Sequence, residues 1–156
     1  MTQGKTPEET KVVMTELVLP GMTNLLGNLL GGQMMHWMDI AGALCCMRHS
    51  NCQVATVAVE ALRFKHPVHQ GEMVNVEAKL VWVGKTSMTV KVTARAENLA
   101  TGAVTVTNVA KLTFVALAED GSKAVVPPLH PQTEEERHDF DCEQAAYRER
   151  TGCGCS

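Results

Sequence analysis

Between Gly31 and Met47 the sequence GGQMMHWMDIAGALCCM contains one acidic side chain, Asp39, set among Met34, Met35, Trp37, Met38, Ile40 and Ala41. A carboxylate without a partner is costly to bury, and desolvation makes such a group more basic. Its chemical uses are two: a base that takes a proton from an attacking water, or a nucleophile toward an acyl carbon. No lysine or arginine lies in the segment, so an ion pair along a helix does not explain the aspartate. Arg63 or Lys65 from a neighbouring element is the structural alternative. His36 shares a helical face with Asp39, either as an acid–base partner or as a packed, hydrogen-bonded histidine. Gly31 and Gly32 stand at the head of the segment. The first N–H groups of a helix are unpaired and carry partial positive charge, and glycine there lets a carbonyl oxygen come close to the backbone.

Elements of two kinds must position these residues. The apolar segment, running to about Arg48-His49, is long and rich in methionine, leucine and alanine, which predicts a helix. It is apolar nearly all the way round, so the helix is expected to be buried. Thr6-Pro7-Glu8-Glu9 has a capping-box pattern with proline at the first helical position. VVMTELVLP reads as a first strand ended by Pro20-Gly21. After residue 52 the period becomes two. In residues 73–83, Val74, Val76, Ala78, Leu80 and Trp82 are expected on one face; in 87–97 the apolar set is Met88, Val90, Val92, Ala94 and Ala96. VATVAVEALRF and VTVTNVAKLTFVAL supply two more strands. The short links VGKT and ENLATG predict antiparallel neighbours. One face of that sheet is apolar and needs a cover, for which the long helix is the candidate. We therefore expect an α+β architecture: a hotdog, in which one antiparallel sheet wraps a central helix. A single domain would occupy residues 1–125. A polar helical tail would occupy 126–156, starting near Thr133 and packing on the domain edge through Phe140 and Tyr147, or left free.

At 156 residues, 45% hydrophobic and 20% charged, the chain has the composition of one folded domain. The net charge of −3 argues against a nucleic-acid partner, which requires a basic surface. MTQGKTPEET is polar, without the pattern of a secretory leader, and no run reaches the roughly 18 apolar residues of a membrane span. A cytoplasmic, non-membrane protein is the expectation. The six cysteines show neither secretory context nor paired CxxC spacing, so no metal is expected, and Cys45 and Cys46 are expected as small core residues.

GNLLGGQMMHWMDIAGALCCMRHS, followed by VATVAVEALRFKHPVHQGEMVNVEAKLVWVGKTSMTVKVTA, resembles the hotdog acyl-CoA thioesterases of the acyl-CoA hydrolase family. The shared features are a GN…GG loop, a helix carrying MD before small residues, an F…PV…G turn and a G-K-T-S-M strand start. They recur in order over about residues 20–117. The resemblance implies hydrolysis of fatty acyl-CoA at a dimer interface, with sheets paired edge to edge and, in many members, a trimer of dimers. It also implies an asparagine of the GN loop and an acidic residue of the helix, from opposite subunits, as the site. Asn28 and Asp39 match those positions. One departure is that Leu30 stands where family loops often carry histidine.

Thioester hydrolysis needs an activated water or a carboxylate nucleophile, and donors for the oxyanion. Asp39 fits the base, which needs one positioned water, or the nucleophile. Asn28 would hold that water or donate to the thioester oxygen, with a turn role as its structural alternative. Gly32 would present the oxyanion amides, a donor of this kind being worth about 3 kcal/mol. Lys85, Thr86 and Ser87, in a tight turn, would meet the CoA phosphates or remain a solvated turn. Thr56 and Val57 would line the pantetheine channel. The CoA thioester is the substrate, and no cofactor is implied. Two alternatives stand beside this: a hotdog hydratase or dehydratase using a His–Asp pair, and a non-catalytic acyl-CoA sensor.

Overall fold

The computed structural model describes residues 3–151; the pair Cys153 and Cys155 lies outside the described residues. In chain order the elements are α1 (Pro7–Thr10), β1 (Val12–Leu17), a 3-10 turn at Pro20–Met22, α2 (Gly31–Ser50), β2 (Gln53–Phe64), β3 (Met73–Val83), β4 (Ser87–Glu97), β5 (Val104–Leu117) and α3 (Glu134–Thr151). All strand pairs are antiparallel and the sheet order is β1-β3-β4-β5-β2. This is the expected hotdog, with α2 laid across one face of the sheet. The capping box forms at α1, where the Thr6 side chain accepts from Glu9 N and the Glu9 carboxylate accepts from Thr6 N.

α2 turns Met34, Trp37, Met38, Ala41, Cys45, Cys46 and His49 toward the sheet. They meet Val74, Val76, Ala78, Val90, Val92, Ala110, Leu112, Phe114 and Ala116, all fully buried. The two layers come closest at Gly42, where an added Cβ would lie 3.0 Å from the Phe114 ring and 3.1 Å from Val90. Burial holds the Cys45 thiol neutral, its pKa pushed up to about 11. The helix ends on Asn51 in the left-handed conformation, φ 57°. Its burial is one-sided, contrary to the expectation from its all-round apolarity. Leu44 is 41% exposed and Met35, Ile40 and Ala43 are half-buried.

Trp82 corrects the sequence alternation. A bulge between Leu80 and Trp82 advances the register by one residue, which sends everything beyond it to the opposite face. Trp82 therefore points away from α2 and pairs with Thr89 on the outer side. There α3 covers it: Tyr147 packs on the indole with centroids 4.9 Å apart, and Trp82 Nε1 donates to Gln144 Oε1. So the tail helix packs on the outer face of the sheet, not on the domain edge. The same face carries Lys79, Lys91 and Lys111 side by side on β3, β4 and β5. Like charges opposed in this way are destabilising. The acidic stripe of α3 relieves them: Glu136 pairs with Lys79 at 2.9 Å and Glu143 with Lys111.

Burial pushes the Glu136 carboxyl up, but Lys79 and the amides of Gln132 and Thr133 outweigh it and hold the group below its ordinary range. A carboxylate with a lowered folded pKa adds stability above its unfolded pKa and loses it as pH falls through the folded value. Glu136→Gln is accordingly expected to cost about 1 kcal/mol at pH 7 and to make little difference at pH 3. Urea titrations at both pH values, followed by Trp82 fluorescence in a Trp37→Phe background, measure the effect. An equal cost at both pH values contradicts the ion-pair account.

Candidate active site

Asp39 lies two turns into α2 and is half-buried. Its Oδ1 accepts a 2.7 Å hydrogen bond from Thr56 Oγ1 on β2, which leaves Oδ2 free for a further donor. A bulge between Thr56 and Ala58 changes the face presented by β2. On its near side Thr56 sits opposite Phe114 and faces α2. Among the described residues no cation pairs with Asp39, so the bridge to Arg63 or Lys65 does not form. His36 is exposed and makes no hydrogen bond with Asp39.

The head of α2 is open. No side chain caps it, and no acidic residue occupies its first turn. The Leu30 carbonyl accepts from Gln33 and Met34, while the N–H groups of Gly31 and Gly32 have no acceptor among the described residues. Nothing lies within 4 Å of a Cβ built on Gly32, so packing within the protomer does not require glycine there. Asn28 stands in the preceding loop, half-buried. Its Oδ1 accepts from His69 Nδ1 at 2.8 Å, and its backbone pairs with His69 in an isolated bridge. Leu30 replaced the expected loop histidine, yet an imidazole reaches the asparagine from the β2–β3 connection. Asn24 shapes the loop: its Oδ1 accepts from Leu26 N and Asn28 N, and its own N–H bonds the Asn28 carbonyl.

One protomer does not gather all these groups at one point. Asp39 and Gly32 share a face of α2, but seven residues of helix at 1.5 Å each separate them by about 10 Å. The turn carrying Lys85, Thr86 and Ser87 lies at the other end of the sheet, where Ser87 pairs with Val115 and Lys85 O accepts from Val126 N. Val57 is 58% exposed on the edge strand β2, and Val59 and Phe64 are exposed beside it. The sequence reading placed Thr56 on a channel wall and missed its bond to Asp39. It also missed His69 beside Asn28. Both pairs join residues far apart in the chain, and neither leaves a local signature.

The sheet and its covering helix define a hotdog protein, in which the open helix head and the Thr56-bonded Asp39 lie on one helix. Residues 26–103 match the thioesterase superfamily, and the chain belongs to that superfamily. An uncharacterized acyl-CoA thioester hydrolase of Bacillus subtilis, YkhA, is 36% identical over 137 residues, 85% of this chain and 80% of the relative. The structure of an apo-hexameric acyl-CoA thioesterase superposes with a TM-score of 0.91 at 35% identity, covering 98% of both chains. An acyl-CoA hydrolase from Staphylococcus aureus, solved with butyryl-CoA and CoA, is 25% identical with a TM-score of 0.86, over 99% of this chain and 93% of that one.

Two of the three glycines of α2, Gly32 and Gly42, are expected to respond differently to substitution. Gly42→Val drives methyl groups into Phe114 and should cost about 2 kcal/mol or more. Gly32→Ala should leave stability unchanged or slightly raised and lower turnover at least tenfold, by crowding the open amides. Thermal melts beside thioester assays check both. A Gly32→Ala protein with full turnover removes the helix head from the site.

Proposed function

We propose that this protein hydrolyses acyl-CoA thioesters to the free acid and CoA, at a site that two protomers complete together. The observation that carries the reading is the pair of unpaired Gly31 and Gly32 amides about 10 Å from a carboxylate on the same helix. A thioester carbonyl bonded to these amides stands about two helical turns along the axis from Asp39 of the same protomer. A partner subunit that brings its own Asp39 to this helix head resolves the distance. The exposed β2 edge, with Val57, Val59 and Phe64, and the uncovered side of α2 at Leu44 are where that partner would pack.

In this reading the Gly31 and Gly32 amides hold the thioester oxygen as it gains negative charge. The Asp39 carboxylate, oriented by Thr56, takes a proton from water as the water oxygen bonds to the acyl carbon. The tetrahedral intermediate then collapses, the C–S bond breaks, and the proton held by Asp39 passes to the departing CoA thiolate. Asn28, its carbonyl oxygen engaged by His69, turns its NH2 to the water or the thioester oxygen. Lys85 with the Thr86 and Ser87 hydroxyls meets CoA phosphates, and Val57 lies against pantetheine. Support for the Asp39–Thr56 pair comes from the S. aureus hydrolase. Its structures include alanine variants at an aspartate and a threonine with the same separation along the chain. A hexamer, arranged as a trimer of dimers, would have the subunit number named for two relatives.

The hydratase reading lacks its acid–base pair, since His36 is not bonded to Asp39. The sensor reading separates from hydrolysis in one experiment. Release of CoA thiol is measured from acetyl- to palmitoyl-CoA, with Asp39→Asn and Thr56→Val alongside. Wild-type turnover is expected, with a loss of at least a hundredfold in Asp39→Asn and about tenfold in Thr56→Val. Light scattering should give a dimer or a multiple of it. Binding without turnover at every chain length assigns the sensor, and a micromolar monomer with full activity overturns the shared site.

A further inference from the structure

The head of α2 opens onto a cavity of about 260 Å3. Leu29, Met34, Phe64, Pro67 and Val68 form apolar walls, Gly31 forms one side, and the polar residues of the lining are His66 and, on β5, Asn108. Asn108 lies on the sheet face that carries Ala110, Leu112 and Phe114 into the core, and it is 2% exposed. Its Nδ2 is buried without a hydrogen-bond partner. No described residue bonds the other end of the carboxamide either. A buried amide left unpaired forfeits the hydration it had in the unfolded chain. Leucine has nearly the same shape and would carry no such cost. A polar side chain kept in this row of apolar ones gains a partner in what enters the cavity once its carboxamide turns toward it.

We propose that Asn108 is a specificity-determining residue that hydrogen-bonds an oxygen on the acyl group. The preferred substrates are then short acyl-CoA thioesters carrying a hydroxyl or oxo substituent. The proposal rests on the thioesterase reading above, which holds the thioester oxygen at Gly31 and Gly32 and so places the acyl chain at this cavity. The volume lies below the roughly 300–1,000 Å3 of pockets for drug-sized ligands, which suits a short chain. The carboxamide offers both a donor and an acceptor, so it matches either a hydroxyl or an oxo group. A plain alkyl chain displaces water from Asn108 and replaces none of its bonds. Selectivity of this kind is large because the wrong substrate strands a buried polar group.

The test compares butyryl-CoA with 3-hydroxybutyryl-CoA as substrates. It also compares the hydrolysis-resistant ligands S-(2-oxopentyl)-CoA and S-(4-hydroxy-2-oxopentyl)-CoA by calorimetry. In the wild type, kcat/KM and affinity should each favour the hydroxylated member at least tenfold. In Asn108→Leu both ratios should fall to about one, while Tm rises by a few degrees as the stranded amide is removed. A wild-type binding ratio of one or less overturns the proposal without recourse to any variant, as does a ratio that Asn108→Leu leaves unchanged. Failure to hydrolyse any thioester from acetyl- to palmitoyl-CoA overturns the thioesterase reading instead, and the binding ratios still decide the role of Asn108; hydrolysis of long chains alone overturns the short-chain preference.

Discussion

The close approach of α2 to the sheet at Gly42 governs the rest of the molecule. A Cβ here would stand 3.0–3.1 Å from Phe114 and Val90, so these neighbours would have to give by a few tenths of an ångström, and glycine lets the helix lie this near them. That contact sets the height of the helix above the strands and, with the helical repeat, the position of every side chain along it. Asp39 is one turn before Gly42, which puts its carboxylate within 2.7 Å of Thr56 on the edge strand. Gly31 and Gly32 are three turns before it, where the helix leaves the sheet and its first amides stay unpaired. The packing that builds the core thus fixes where the reactive groups stand. A side chain at Gly42 would lift them together.

Irregularities in the strands contribute as much to function as the regular pairing does. In β2 the shift at Val57 ends the stretch that presents Thr56 to α2, and a second shift follows between Glu60 and Arg63. There Ala61 adopts φ 52°, a conformation that costs an L-residue about 1–2 kcal/mol. Beyond it Phe64 returns to the inner face, opposite Asn108 and against Gly31. In β3 the bulge before Trp82 turns an indole outward and gives α3 its anchor. Strain and lost ladder bonds are offset by the contacts that the turned side chains make.

The outer face shows how charge can be used to attach a helix without a large apolar patch. Three lysines in register repel one another, and α3 answers two of them with glutamates two turns apart on one helical face. Trp82 and Tyr147 supply the apolar part of the joint. The inner side of the molecule is built on the opposite principle, with a mostly apolar layer between α2 and the sheet.

Much of this architecture follows from the sequence, because short-range periodicity determines it. Alternation in residues 73–97 specifies strands, the long apolar run specifies the helix, and the GN…GG…MD pattern points to Asn28, Gly32 and Asp39. A period-two rule assumes an unbroken ladder, so it put Trp82 on the wrong face, and a bulge has no compositional mark by which to find it. The all-round apolarity of α2 implied full burial, whereas one protomer covers only one side; periodicity registers that a surface is apolar and not what covers it. Thr56 beside Asp39, His69 beside Asn28 and an unpaired Asn108 facing the cavity join residues 17 to 41 positions apart or depend on which neighbours are missing. Only the tertiary structure decides such pairs, because a hydrogen bond needs atoms within about 3 Å, and the sequence does not set distances between separate elements.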